Sequence, residues 1–104
     1  MKTGKWQDII SLDELEKDDV TNVKFGTKDL AVYDAEEGIF VSLSRCTHGA
    51  ANLCDGYFDG THIECPLHQG LFDVRTGEAK AAPARVRLKM IPCRVLSGIV
   101  QIYL

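Results

Sequence analysis

No stretch of this 104-residue chain is long and apolar enough to cross a bilayer. Its opening residues, Met1-Lys2-Thr3-Gly4-Lys5-Trp6, lack the apolar core that a secretory signal places behind its lysines. These absences lead us to expect a cytoplasmic protein whose cysteines stay reduced. Long helical runs, internal repeats and low-complexity segments are missing as well. So is a glycine-rich dinucleotide fingerprint on a βαβ unit, and with it the means to take a hydride from NADH. No HExxH, no two-histidine-one-carboxylate pattern and no nucleophile–base pair stands out, which argues against an enzyme acting alone. Asp55, Asp59 and Asp73 read as turn or strand-end residues.

A basic excess is also absent. The net charge is −3, a poor match for a nucleic-acid backbone. The charge is unevenly spread. Residues 1–64 carry thirteen acidic and six basic side chains, a balance of −7, and residues 65–104 carry two and six, a balance of +4. Arg85, Arg87, Lys89 and Arg94 make up much of the positive end. They read either as the solvated side of two strands or as a docking patch for an acidic partner.

What the chain does contain is a succession of short strand signals, in a length that suits one domain, 1–104. A first strand is expected over 6–10. Ser11 and Glu14 have capping-box spacing and predict a short helical turn. Val20, Val23 and Phe25 form a second extended run of imperfect alternation, Gly26 breaks it, and 30–33 resumes it. Glu36-Glu37-Gly38 reads as a turn before a strand over 39–43. From 45 to 60 periodicity stops, with turn signals at Asp55-Gly56 and Asp59-Gly60. An irregular segment this long in a small domain needs a reason to exist. Short strands are expected at 62–64 and 71–74, a turn at Thr76-Gly77 and a proline-bearing loop at 81–84. Val86, Leu88 and Met90 alternate with Arg85, Arg87 and Lys89 and predict a strand with one buried face. Two last strands, 94–96 and 99–103, are joined as a hairpin through Ser97-Gly98. Trp6, Tyr33, Phe40 and Tyr103 are expected to be core or half-buried strand residues. The fold class is therefore all-β, with short antiparallel strands and long inserted loops.

The chemistry lies in two segments, Cys46-Thr47-His48 and Cys65-Pro66-Leu67-His68, with sixteen residues between His48 and Cys65. Each offers one thiolate and one imidazole. Four cysteines allow three ways of forming two disulfides, but two of them lie within three residues of a histidine, and metal ligation is the better reading. Two soft and two borderline ligands suit zinc or a mixed-ligand iron–sulfur cluster. Cys54 reads as a free thiol, Cys93 as a core residue and His62 as a strand histidine rather than a fifth ligand.

The spacing C-x-H, a long insertion, then C-x-x-H resembles the Rieske iron–sulfur family. The flanks Arg45-Cys46-Thr47-His48-Gly49 and Glu64-Cys65-Pro66-Leu67-His68-Gln69-Gly70 resemble it too, as do Phe72-Asp73 and Thr76-Gly77-Glu78. The likeness runs from Trp6 to the C-terminus and is strongest to the small ferredoxins of bacterial aromatic-ring hydroxylating dioxygenase systems. It implies a Rieske fold whose cluster-binding loops occupy roughly 45–84. It implies one [2Fe-2S] cluster, with Cys46 and Cys65 on one iron and His48 and His68 on the other. Backbone N–H groups of Gly49, Gln69 and Gly70 would face the bridging sulfides, and Pro83 would sit on a third loop covering the cluster.

The resemblance also marks departures. High-potential members join their two cluster loops by a disulfide, where this chain has Ala51 and Leu67. They place serine and tyrosine hydroxyls near the cluster, where this chain has Gly70 and Phe72. Fewer donors toward sulfur imply a potential near the lower end of the Rieske range, roughly −150 mV. The implied role is one-electron transfer from a flavin-containing NAD(P)H-dependent reductase to a terminal non-haem iron oxygenase, without nucleic acid or membrane. Leu67, with Ala50, Ala51 and Pro83, would surround the exposed imidazole edge, and the acidic first half would steer orientation. The competing readings are a redox subunit of another oxidoreductase, such as a nitrite reductase, and a structural zinc module.

Overall fold

The short apolar runs form three antiparallel sheets in the computed structural model, which describes residues 4–47, 51–67, 70–82 and 84–104. The first sheet holds β1 (Trp6–Ser11), β10 (Cys93–Leu96) and β11 (Ile99–Tyr103), in the order β1-β11-β10. The second holds β2 (Val20–Phe25), β3 (Lys28–Ala35), β4 (Gly38–Leu43) and β9 (Met90–Ile91), in that order. The third holds β5 (Tyr57–Phe58), β6 (His62–Glu64), β7 (Leu71–Asp73) and β8 (Ala79–Ala81), also in chain order. Among the described residues there is no α-helix, only 3-10 turns at Leu12–Glu14 and Leu53–Asp55. The all-β expectation holds. The Ser11 hydroxyl caps the first turn by accepting from the Asp13 N–H at 3.3 Å, one residue earlier than a capping box requires.

β3 explains the imperfect alternation of its neighbourhood. Successive strand residues point to opposite faces, and both faces of this sheet are covered. Leu30 and Val32 pack with Val41, Ile91, Val100 and Ile102 toward the first sheet. Ala31, Tyr33 and Ala35 pack with Ile63, Phe72 and Val74 toward the third. β2 divides in the same way, with Val20 on the third-sheet side and Val23 on the other. The Ser97-Gly98 hairpin forms as expected, with φ of 53° and 79° in a primed turn that matches strand twist.

Two expectations need correction. The strand expected across Val86, Leu88 and Met90 is not formed, since β9 begins only at Met90. Leu88 is buried but Val86 is 63% exposed. The Leu88 N–H is drawn instead to the Gly77 carbonyl at 2.7 Å, and the Leu43 N–H takes the Lys89 carbonyl at 3.1 Å. With these bonds 84–89 is a loop, so its cations are not the polar side of a strand. Arg94 leaves that group altogether, because its guanidinium lies 4.1 Å from the centre of the Trp6 ring and its Nε donates to Gln101 at 2.7 Å. Tyr103, expected to be a core or half-buried strand residue, is instead among the exposed apolar side chains, at the edge of the Trp6 ring.

Candidate metal centre

Two strand ends deliver the two cysteines. β4 stops at Leu43, and the chain then makes a closed excursion: the Leu53 N–H returns to the Ser44 carbonyl at 2.7 Å and the Cys46 N–H takes the Ala51 carbonyl at 2.9 Å. The second excursion closes the β6–β7 hairpin, with the Cys65 N–H on the Gly70 carbonyl at 2.7 Å. Both cysteines thus donate to the carbonyl five residues on, and each ligand loop is pinched at its cysteine. Cys46 is 2% and Cys65 0% exposed, in one apolar cluster with Leu53, Phe72, Ala84 and Leu88. The Leu67 N–H points at the Cys65 sulfur at 3.4 Å.

Burial, followed by the adjacent Cys46 thiol, pushes the Cys65 thiol up to about 11. The Cys65 thiol at this depth is therefore neutral unless a cation meets it, and a soft metal is the cation that thiolates select. The donor chemistry fits an iron–sulfur cluster. His48 and His68 lie outside the described residues, as do Gly49, Ala50, Gln69 and Pro83. Of the expected site residues, the structure brings Cys46 and Cys65 together in that cluster. Cys54 is a half-buried free thiol, raised to about 11 by burial, 3.9 Å from the Ser44 hydroxyl. Cys93 sits on β10 and donates to the Ile39 carbonyl at 3.3 Å. His62 bonds the Thr61 hydroxyl through Nδ1 at 2.8 Å and pairs across the sheet with Asp73, away from the hairpin tip.

Several supporting residues have no signal in the sequence. The Asn22 side-chain carbonyl on β2 accepts from Ser44 Oγ at 3.0 Å and from Asn52 Nδ2 at 3.2 Å, pinning both stems of the first ligand loop. Asn52 also caps the turn at Leu53–Asp55 through the Cys54 N–H, which an Asn before Leu53-Cys54-Asp55 does hint at. Asp73, almost fully buried, accepts a paired hydrogen bond from Arg75, whose other nitrogen reaches Glu37 at 2.8 Å in the β3–β4 turn. That clamp ties the third sheet to the second. Thr47 donates to the Val86 carbonyl at 2.5 Å, joining the first ligand loop to the 84–89 loop. Gly77, with φ of 84°, lets that loop approach, since a Cβ there would stand 2.8 Å from the Leu88 carbonyl.

Comparison with known proteins follows this geometry. The Rieske [2Fe-2S] domain family matches residues 5–92. The ferredoxin component of the naphthalene 1,2-dioxygenase system of Pseudomonas aeruginosa is 45% identical over 93 residues, covering 89% of each chain. The Sphingomonas yanoikuyae B1 ferredoxin superposes with a TM-score of 0.88 at 38% identity, over 94% of this chain and 97% of that one. A chain from the complex of reduced oxygenase and oxidized ferredoxin in carbazole 1,9a-dioxygenase superposes with a TM-score of 0.85 at 33% identity, over 93% and 91%.

Proposed function

This chain belongs to the Rieske [2Fe-2S] domain family, and from that premise we propose that it is the ferredoxin of an aromatic-ring hydroxylating dioxygenase system. It carries single electrons from a flavin-containing NAD(P)H-dependent reductase to a terminal non-haem iron oxygenase. It is the electron-transfer component of that system and not its catalyst. The observation that carries this reading is near-full-length similarity to ferredoxin components, joined to a pinched pair of buried thiols at the expected positions.

Its cofactor is one [2Fe-2S] cluster, which when bound takes up and releases one electron. In our reading Cys46 and Cys65 hold one iron, and His48 and His68 the other. The chain supplies a dry floor beneath the thiolates, built from Leu53, Phe72 and Leu88, each at most 2% exposed. It also leaves Leu67 at 41% exposure beside the second ligand loop, where a partner can approach. Residues 1–104 form a single Rieske domain in this reading, with the cluster-binding region near 45–84. Gly70 and Phe72 bring no hydroxyl to the sulfurs, which suits a low potential. No helix among the described residues is long and apolar enough to cross a membrane, and we place the protein in the cytoplasm.

The test mixes the purified red-brown protein with its reductase and oxygenase, NAD(P)H and an aromatic substrate. Hydroxylation should require this chain, and the reduced protein should give a rhombic EPR signal with an average g below 2. Equal turnover with a cluster-free variant would remove the carrier role.

A further inference from the structure

We propose that the 84–89 loop is a docking surface for a redox partner whose contact face is acidic. The proposal rests on the carrier reading and adds to it the place and the charge of the contact.

Position is the first argument. Thr47 stands between Cys46 and His48 in the chain and bonds the Val86 carbonyl. Consecutive Cα atoms are about 3.8 Å apart, so Arg85 and Arg87, which flank Val86, stand at the rim of the ligand loop. Exposure is the second. Val86 is 63% exposed although it is a branched apolar residue, and the loop around it belongs to no strand ladder. A shallow groove of about 530 Å³ runs beside it, lined by Thr47, Val86, Arg87, Lys89 and Met90 among others.

Charge decides what the partner offers. Arg85, Arg87 and Lys89 are all exposed, and among the described residues none of them is ion-paired to a carboxylate. Every Asp and Glu of the chain is among those residues. Of the other described cations, Lys24 pairs with Asp29, Arg75 with Asp73 and Glu37, Lys80 with Glu78, and Arg94 lies over Trp6. Lys5, Lys17, Lys28 and Arg45 are unpaired as well, but no three of them share one segment. Three unneutralised cations around one exposed valine have the polar-rim, apolar-centre arrangement of a transient interface. The chain as a whole is negative, but charges are screened beyond about 8–10 Å in physiological salt. A partner with carboxylates around an apolar spot is thus drawn to this loop and turned away elsewhere, which orients it without long residence.

Small oxidants of opposite charge test the surface without either partner. The reduced, cluster-loaded protein gives one electron to ferricyanide, an anion, or to tris(phenanthroline)cobalt(III), a cation, and each oxidant gains the electron that the protein loses. Stopped-flow rates are measured against salt for the native chain and for the triple variant R85Q/R87Q/K89Q. The native ferricyanide rate should fall as salt rises, and at low salt the triple variant should be about tenfold slower. Its cobalt rate should rise. The EPR signal, midpoint potential and melting temperature should stay as in the native chain, and R85K/R87K should behave as native. K17Q, beside Ile39 at the far end of β4, should change nothing. A native ferricyanide rate that rises with salt, or a triple variant with native slopes, overturns the proposal. These outcomes are independent of hydroxylation, so the carrier reading fails or stands separately. With the reductase and the oxygenase assayed one at a time, transfer with one of them should slow about tenfold in the triple variant. Unchanged rates with both would also overturn it.

Discussion

β3 and β4 pair through six residue steps, from Leu30↔Leu43 to Ala35↔Gly38, whereas no pairing in the third sheet runs beyond three. The first two sheets enclose a core of Leu30, Val32, Val41, Val100 and Ile102, all without exposed surface. They stand on ladders and apolar burial, forces spread over many residues. The third sheet has its own apolar core around Ile63, Phe72 and Val74, but its ladders are short and its loops hang on single points: the two cysteine closures, the Asn22 bonds, the Arg75 clamp and the Thr47 bond. A spread-out framework tolerates local damage, while a region held at points fails when one point goes. This makes the ligand region the natural home of local opening.

The largest test of that contrast removes the metal. His48→Ala, His68→Ala or Cys65→Ser should abolish or misassemble the cluster, seen as loss of visible absorbance and of iron, while His62→Ala should retain it. In the cluster-free Cys65→Ser protein, hydrogen exchange should stay slow at Val32 and Val41 and become fast at Cys46 and at the substituted position 65. Uniform loss of protection would show that the two regions are not separable.

Gly56→Ala comes next. A Cβ at Gly56 would run into the Glu64 carbonyl, a backbone atom next to Cys65 that has nowhere to retreat. The cost should be about 3 kcal/mol, a fall in melting temperature of roughly 10–20 °C. At Gly26, where φ is 63° and nothing lies within 4 Å, alanine should cost only about 1 kcal/mol from backbone strain. Equal losses at the two sites would contradict the picture of a tightly closed ligand region.

The clamp is smaller and depends on pH. The Arg75 hydrogen bonds, against the opposing effect of burial, lower the Asp73 carboxyl from 3.8 to about 2. The folded value is depressed, so the stabilisation is complete above the unfolded value, from about pH 4–5 upward, and is lost as pH falls through about 2. With Arg75 partly exposed, Asp73→Asn should cost on the order of 1–2 kcal/mol at pH 7 and nearly nothing at pH 2. Thermal melts of both proteins across that range check the sign. A cost that did not shrink on acidification would assign the effect to packing instead.

Asn22→Ala should have the smallest effect, about 1 kcal/mol for the two lost bonds. It should appear as a few-fold faster release of iron to a chelator, with a fall in melting temperature of only about 4–7 °C.

The residues themselves decided the ligand set proposed here, the Ser97-Gly98 hairpin and the all-β class. Each of these rests on local chemistry: metal-ligand types at fixed spacing, a two-residue turn with positive φ, and alternation along short runs. The mixed burial of β2 and β3 was visible only as irregularity, since a strand covered on both faces loses the contrast that alternation depends on. The 84–89 loop has the sequence of a strand, because its apolar and cationic residues alternate as in one. Only the bonds from Leu88 to Gly77 and from Thr47 to Val86, across 11 and 39 positions, take it out of the ladder and set its cations at the ligand loop. The Asn22 and Arg75 anchors are likewise joined through space, to Ser44 and Asn52 and to Glu37. Local pattern carries the chemistry of each segment, and contacts between distant segments decide which chemistry meets.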